Sequence, residues 1–391
     1  MLVSCMWRAT ILSFPSLWSK LVMSASVPNW DMFTIVERSG SHPLQVAIPP
    51  APHGRALKSI RYEHVDLVAE LLPRISQLAI TTSGRDDTHR IYCALRDRPA
   101  DQLQRLSFIA SPGLEELFTL YPPRLTSLYL SCVESWPAPI AKNLTDIRLE
   151  FELNRETLER DLKRSPRLKQ IRIDGVRHIL ERYGDYSRIP LIPGAQLILT
   201  DSQNDVASLF ALGSTNYLSI MKRVPSSNLS ITPFLKLALP RDTSYLRNLE
   251  DLTKVHLELI DSGDDMHTYG CRIVTVVLRC FTADRETLYV NLEYSLSGPR
   301  SPNAIGTEII SERPPAMRAL NYLRPLDLSK VMELRMEGFV GEWGLQTFEL
   351  YHFLQHIPAL RRIKTGDDNR ETFLSALSTT RRGTPVIVEG T

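Results

Sequence analysis

The sequence lacks the residue patterns that most often mark an active site. It contains no G-x-S-x-G, P-loop, H-E-x-x-H or zinc-deaminase motif, and its nine histidines are scattered singly. Its five cysteines are an odd number, widely separated and without a C-x-x-C pair. That usage indicates reduced thiols in an intracellular protein, cytoplasmic or nuclear. We therefore predict no catalytic residues, no metal ligands and no cofactor.

The chain also lacks an excess of charge of one sign and any long apolar run. Its 46 basic and 44 acidic side chains leave a net charge of +2, which is too small to attract nucleic acid or an anionic membrane over distance. Pro15 interrupts the apolar segment 9–21, and no segment approaches the roughly 20 residues that span a bilayer. We expect neither a nucleic-acid partner nor a membrane, and the hydrophobic content of 43% predicts a folded globular chain.

What the sequence does contain is a recurring strand cassette. Residues 125–130 read L-x-x-L-x-L, and Leu128 and Leu130 would point to the same side of a β-strand. One short strand cannot bury that side alone, so the cassette predicts stacked repeats. Similar cassettes recur 19 to 28 residues apart, a period typical of leucine-rich repeats. They begin at Ile75, Leu103, Leu125, Leu144 and Leu168.

Helices are predicted between the cassettes. Asn154 is placed to cap a helix over 156–163, and helical spacing also covers 65–72, 347–357 and 368–377. Beyond residue 185 the repeats are irregular, with strands predicted over 196–200, 252–259 and 288–296 and a helix over 206–212. Residues 270–281 are ambiguous, because helical spacing competes with β-branched composition. We expect a helix there, since the segment lies between two predicted strands.

The glycines at 338, 341 and 344 follow a predicted strand and superficially resemble a dinucleotide-binding loop. Their spacing is G-x-x-G-x-x-G rather than G-x-G-x-x-G, and Glu342 would place negative charge beside a phosphate. We interpret them as a glycine-rich turn between a strand and a helix.

The first fifty residues show a more specific resemblance. They contain the order hydrophobic-x-Cys-x-Trp-Arg, a short apolar run and Phe-Pro-Ser-Leu-Trp-Ser, followed by a predicted helix over 30–39 and strand over 43–48. This order resembles the C-terminal part of the F-box-like domain in fungal families of F-box and leucine-rich repeat proteins. The Leu-Pro-x-Glu stretch and the helices that usually begin an F-box do not precede it in this sequence. The matching positions are Cys5, Trp7, Arg8, Pro15, Ser16, Leu17 and Trp18.

The resemblance implies a substrate-receptor subunit of an SCF-type ubiquitin ligase, which binds the ligase adaptor through the F-box and a protein target through the repeats. In the family the first helices supply much of the adaptor contact, so a non-catalytic scaffold that no longer binds the adaptor is the alternative. An enzyme is the third and weakest interpretation. Simple core packing would explain the same residues without any partner. It predicts burial of Trp7, Leu12, Phe14, Leu17, Trp18 and Leu21.

We therefore expect an α/β fold, an irregular leucine-rich repeat solenoid with a curved parallel sheet and outer helices, preceded by an F-box-like helical remnant. The expected boundaries are 1–40 for the remnant, 41–380 for the solenoid and 381–391 for a tail. If successive strands share one register, their outward residues form a partner-binding surface; ordinary solvated strand positions are the alternative. The candidates are Ser107, Tyr129, Arg148 and Arg172.

Overall fold

The protein is an α/β protein with few helices and a large, mostly parallel sheet of fifteen strands. Its residues group into two compact units, Met1–Arg172 with Arg177–Gly184, and Ile173–Val176 with Asp185–Thr391. Among the described helices, none has the length and apolarity needed to cross a membrane. The computed structural model describes residues 5–23, 29–49, 62–82, 85–109, 122–131, 138–180, 188–202, 205–224, 239, 243–264, 272–283, 285–296, 323, 326–339, 347–379 and 385–390.

In the first unit the strands pair in chain order, and every described pair is parallel. A seventh strand, β7 (Gln170–Leu180), crosses the division between the units. This arrangement confirms the predicted strand cassettes. The strands are β1 (Lys20–Val22), β2 (Leu44–Ile48), β3 (Ile75–Thr81), β4 (Arg105–Ile109), β5 (Ser127–Ser131) and β6 (Asp146–Asn154).

The leucines of the cassette form the inward face of these strands. Leu125, Leu128 and Leu130 are all buried, and Leu128 lies in register with Leu106 on one side and Ile147 on the other. Burying a leucine side chain stabilises a fold by about 2 kcal/mol. Each strand therefore depends on its neighbours for the burial of its own leucines.

The helices predicted over 30–39, 65–72 and 156–163 are present within a few residues of those bounds, whereas the helices over 85–95 and 138–141 were not predicted. Asn154 caps α6, since its side-chain oxygen accepts a hydrogen bond from the amide of Thr157 over 3.2 Å. Short 3₁₀ turns at Pro15–Trp18 and Leu72–Arg74 lead into β1 and β3. The helices are α1 (Cys5–Ser13), α2 (Asn29–Arg38), α3 (Tyr62–Leu71), α4 (Arg85–Leu95), α5 (Ala138–Ala141) and α6 (Arg155–Lys163).

The second unit contains one inversion of strand order. From one side to the other its main strands run β9, β11, β14, β13, β12, β15, β16 and β17, while β8 and β10 pair separately. The strands are β8 (Ile189–Pro190), β9 (Gln196–Thr200), β10 (Phe210–Ala211), β11 (Tyr217–Val224), β12 (Lys254–Asp264), β13 (Arg272–Thr282), β14 (Arg285–Leu296), β15 (Glu333–Glu337), β16 (Arg362–Thr365) and β17 (Ile387–Gly390).

The helix predicted over 270–281 is wrong, because this segment forms β13. It pairs antiparallel with β12 on one side and β14 on the other, and Val276, Val277 and Leu278 are all buried. Successive side chains of a strand point to opposite faces, so three buried in a row fit a strand covered on both faces, whereas a surface helix buries one stripe only. The segment therefore also departs from a wholly parallel sheet.

The remaining helices of the second unit match the prediction in part. They are α7 (Asp205–Ser208), α8 (Thr347–Leu354) and α9 (Asp367–Thr379), of which the last two were expected. The predicted helix 206–212 is wrong beyond Ser208, because β10 follows at once and pairs with β8. Within the segment expected to be a tail, β17 pairs parallel with β16.

The turn after β15 explains the first glycine of the triplet. Gly338 has a φ of +78°, and a Cβ added to it would lie 2.8 Å from the carbonyl carbon of Leu259 in β12 and closer still to its oxygen. Only glycine fits such a position, since it has neither the steric penalty at positive φ nor a Cβ. Gly341 and Gly344 lie outside the described residues.

Candidate functional site

The outward side chains of the first unit stand in rows across the strands. Ser107 in β4 lies in register with Tyr129 in β5, and Tyr129 with Arg148 in β6. The same row continues in the other direction through the small residues of β3 and β2. We call it the tyrosine row: Val22, Ala47, Ala79, Ser107, Tyr129 and Arg148.

Arg172 continues this row in β7. The amide of Gln170 donates to the carbonyl of Thr145 over 3.0 Å, just as the amide of Asp146 donates to that of Thr126 over 3.1 Å one strand earlier. The repeated bonding pattern extends the register by one strand. The structure therefore brings together all four residues proposed from the sequence, while their role in binding stays a prediction.

A second row runs parallel to the first, two residues earlier in each strand. It is polar throughout, with a cation in β1, amides in β2 and β3, and a second cation in β4. Its residues were not predicted as site residues. We call it the lysine row: Lys20, Gln45, Gln77, Arg105, Ser127 and Asp146.

A groove of about 410 Å³ lies along these rows, over β1 to β5. Its floor is low where the tyrosine row is made of Ala47, Ala79 and Ser107, whose side chains are small. Larger side chains, Val22 and Tyr129, stand at the two ends of that floor. The groove is therefore a direct product of residue size at equivalent positions of successive strands.

The wall at the Tyr129 end is held in place by Arg148. The guanidinium of Arg148 lies 4.4 Å from the centre of the Tyr129 ring, and it also pairs with Glu150 over 3.0 Å. Stacking and ion pairing together restrict both side chains and neutralise much of the arginine charge. Arg148 therefore supports the shape of the groove more than its charge.

The charge of the groove comes from Lys20 and Arg105. Both are exposed, and neither has an ion-pair partner within the described part of the chain. No carboxylate is among the described residues that line the groove. The nearest acid of the lysine row, Asp146, lies beyond the lining on β6 and accepts a hydrogen bond from the Thr145 hydroxyl over 2.6 Å. The groove is therefore locally basic in a chain that is almost neutral overall.

The F-box-like positions lie on α1 and the following 3₁₀ turn and do not line the groove. The indole of Trp18 donates to the carbonyl of Ile11 over 3.1 Å, and the guanidinium of Arg38 lies 4.6 Å from the Trp18 ring centre. These contacts connect α1, the turn and α2. Cys5 begins α1, Arg8 is exposed on it, and Pro15, Ser16 and Leu17 form the turn.

The packing interpretation of these residues is largely wrong. Trp7, Phe14 and Leu17 keep 64%, 53% and 62% of their surface exposed, and Leu12 is exposed too. Trp18 is half-buried and Leu21, in β1, is buried as expected. Most of the large apolar side chains of α1 and the turn are therefore exposed rather than packed in a core.

The outward face of the second unit carries a different surface, a cluster of ion pairs on β12, β15 and β16. His256 lies 3.1 Å from Glu337, which also accepts from Arg335 over 2.6 Å. Glu333 likewise pairs with Arg362 and with Lys364, over 3.5 and 3.6 Å. Sequence reasoning missed this cluster because its residues come from three strands, and their register was unknown.

Burial and pairing set the electrostatics of this cluster. Burial lowers the pKa of His256 despite its hydrogen bond to Glu337, which acts in the opposite direction. Burial would raise the pKa of Glu337, but the hydrogen bonds and charges of Arg335 and His256 together outweigh it and lower the pKa. The charges of the cluster satisfy one another, which fits a structural role better than a binding role.

Neither surface shows the arrangement of a metal centre. Within the described ranges, no group of three or more His, Cys, Asp or Glu side chains is placed to hold a metal ion. What the groove offers is hydrogen-bonding amides, two cations and a small apolar floor, which are features suited to binding. Comparison with protein-family models, with curated proteins and with solved structures finds no match for this chain.

Proposed function

We propose that this protein is an interaction module that binds a protein target through the outward face of β1 to β6. The observation that carries the proposal is the groove of about 410 Å³ along two rows of outward residues in register. Ligand sites are concave and combine apolar surface with a few placed polar groups, and this groove has both. Ser107 and Tyr129 line it, and Arg148 supports its wall.

For the fold, we propose an irregular leucine-rich repeat solenoid with an F-box-like remnant at its N-terminal end. The support is the run of parallel strands that pair in chain order, with the leucines of each cassette buried. The antiparallel strand β13 departs from a regular repeat. The proposal of an SCF-type ubiquitin-ligase receptor adds the resemblance of the first fifty residues to this architecture.

The groove is tested by filling it. Ala79→Trp places a large ring at the centre of the floor, whereas Gln196→Trp adds the same ring to an exposed position of β9 in the second unit. Proximity labelling in cells should give one set of partners for the wild type and Gln196→Trp, and Ala79→Trp should lose it. Circular dichroism and thermal melting confirm that both variants are folded. Retention of the same partners by folded Ala79→Trp would remove the groove from the function.

The link to a ligase is tested separately with purified adaptor subunit. Trp7 and Leu17 expose most of their apolar surface, so Trp7→Asp with Leu17→Asp should abolish association. Phe348→Asp is the matched control, since Phe348 is also a highly exposed apolar residue but lies on α8 in the second unit. If the wild type does not associate while an intact F-box protein does, the ligase version is excluded and the scaffold alternative is retained.

A further inference from the structure

The charges along the groove are complementary to an acidic ligand. Among the described residues that line it, Lys20 and Arg105 are the charged ones, and neither has an ion-pair partner in this part of the chain. The chain as a whole is nearly neutral, with a net charge of +2, so this local excess is a property of the groove. Two uncompensated cations facing one recess favour a partner that carries carboxylates there.

The distance between the two cations sets the spacing of those carboxylates. Lys20 is in β1 and Arg105 in β4, at equivalent register positions three strands apart. Neighbouring strands are about 4.8 Å apart, so the two positions are separated by about 14 Å. An extended peptide that crosses the strands rises about 3.4 Å per residue. Residues four apart would therefore reach both cations.

The floor sets what lies between them. In an extended peptide, residues i, i+2 and i+4 point to the same side. With i and i+4 at the cations, residue i+2 lies between them, over Gln45 and Gln77. Beside these amides, two residues further along the same strands, Ala47 and Ala79 leave room for an apolar side chain. Gln45 and Gln77, between the cations, offer amide donors and acceptors to the peptide backbone.

We propose that the groove binds an extended acidic segment of a partner protein, with the pattern acidic-x-apolar-x-acidic. This inference rests on the proposed function and specifies the chemistry of the partner. The carboxylates lie at Lys20 and Arg105, and the apolar side chain lies on the alanine floor.

The test is fluorescence anisotropy with the full chain and labelled heptapeptides. The probe has glutamate at its second and sixth positions, leucine at the fourth and alanine elsewhere. Two comparison peptides replace both glutamates with glutamine or with lysine. A third has its two glutamates only two positions apart. We expect the probe to bind at least ten times more tightly than the glutamine and the two-apart versions. The lysine version should not bind.

Reversing the two charges of the groove gives a more specific test of the acidic preference. Lys20→Glu with Arg105→Glu should lose the glutamate peptide and gain the lysine peptide. Arg98→Glu with Lys142→Glu makes the same change in net charge at exposed positions outside the groove, and should leave the affinity within about twofold.

Several results would overturn the inference in distinguishable ways. Equal affinity for the glutamate and glutamine peptides, both lost in Ala79→Trp, would refute the acidic specificity and leave the proposed function in place. If no peptide binds but Ala79→Trp still loses the cellular partners, the acidic specificity is again refuted and the proposed function is retained. If Ala79→Trp keeps those partners as well, both proposals fail. Tighter binding of a labelled oligothymidine than of the peptide would identify phosphates as the anion and overturn the peptide assignment.

Discussion

The turn at Gly338 allows a stability prediction with an internal control. Gly338 has a φ of +78°, and an added Cβ would meet the carbonyl group of Leu259 at 2.8 Å from its carbon. Gly194 has a φ of +79°, but nothing lies within 4 Å of the Cβ that would be added there. The two positions therefore share the backbone cost of a side chain and differ only in the steric clash.

The expected magnitudes follow from these two terms. Placing alanine in the left-handed region costs roughly 1 to 2 kcal/mol, which is all that Gly194→Ala should lose. At Gly338 the Cβ would lie inside the 3.0 Å that real Cβ atoms keep, and the obstacle is backbone rather than a flexible side chain. Moving the backbone of Leu259 disturbs the pairing of β12 with β15, where Glu258 is in register with Glu337. We expect Gly338→Ala to lose about 4 kcal/mol in total.

Urea unfolding followed by circular dichroism measures both variants. The free energies of unfolding should differ by about 2 to 3 kcal/mol between Gly338→Ala and Gly194→Ala. The slope of the free energy against urea concentration should be unchanged in both variants. A difference below about 0.5 kcal/mol would show that the backbone yields easily at this turn. That result would refute the close approach as the reason for glycine.

Three further predictions concern the inward face, a buried amide and pH. Leu128→Asp buries a charge between two neighbouring strands and should abolish the cooperative thermal transition. The variant Ser127→Asp, changed at an outward position, should melt near the wild-type temperature. Equal melting temperatures of the two variants would contradict the strand assignment. Asn216→Ala removes a buried side chain that donates to two backbone carbonyls over 2.7 and 3.0 Å, and should lose about 2 kcal/mol in urea unfolding; an unchanged midpoint would count against it. Because burial lowers the pKa of His256 in the fold, the unfolded chain binds more protons as pH falls below about 6.5, so stability should decrease from pH 7.5 to 5.5. The decrease should be smaller in His256→Gln, and identical pH profiles would refute this cause.

The strand cassettes could be predicted because their evidence is local. Alternation with period two shows which side of a strand is apolar, and the buried Leu125, Leu128 and Leu130 satisfy that rule within six residues. The cap at Asn154 is equally local, since it needs only the three residues that follow. Features that are decided within one turn or one strand are therefore visible in the sequence.

The groove and β13 could not be predicted in the same way. The depth of the groove depends on small residues such as Ala47 and Ala79, which meet only through the register of strands far apart in the chain. Lys20 and Arg105 stand at the beginnings of strands, where an exposed basic residue is ordinary. In β13 the apolar spacing of Val276, Val277 and Cys280 fits a helix. The segment is a strand because it pairs with β12 and β14, and that pairing is not visible in the pattern that the segment itself contains.

The inversion of strand order in the second unit has a consequence for the order of folding. In the first unit each strand finds its next neighbour in the following cassette, so pairing can proceed outwards one strand at a time. This cannot continue past β11, because its neighbour β14 follows only after β12 and β13. Leu218 in β11 pairs with Leu288 in β14, about 70 residues later in the chain. Closing so long a loop before its contacts form is entropically costly and slows folding. During synthesis the open edge of β11 is therefore exposed for longer than that of any described strand in the first unit that pairs with its direct successor.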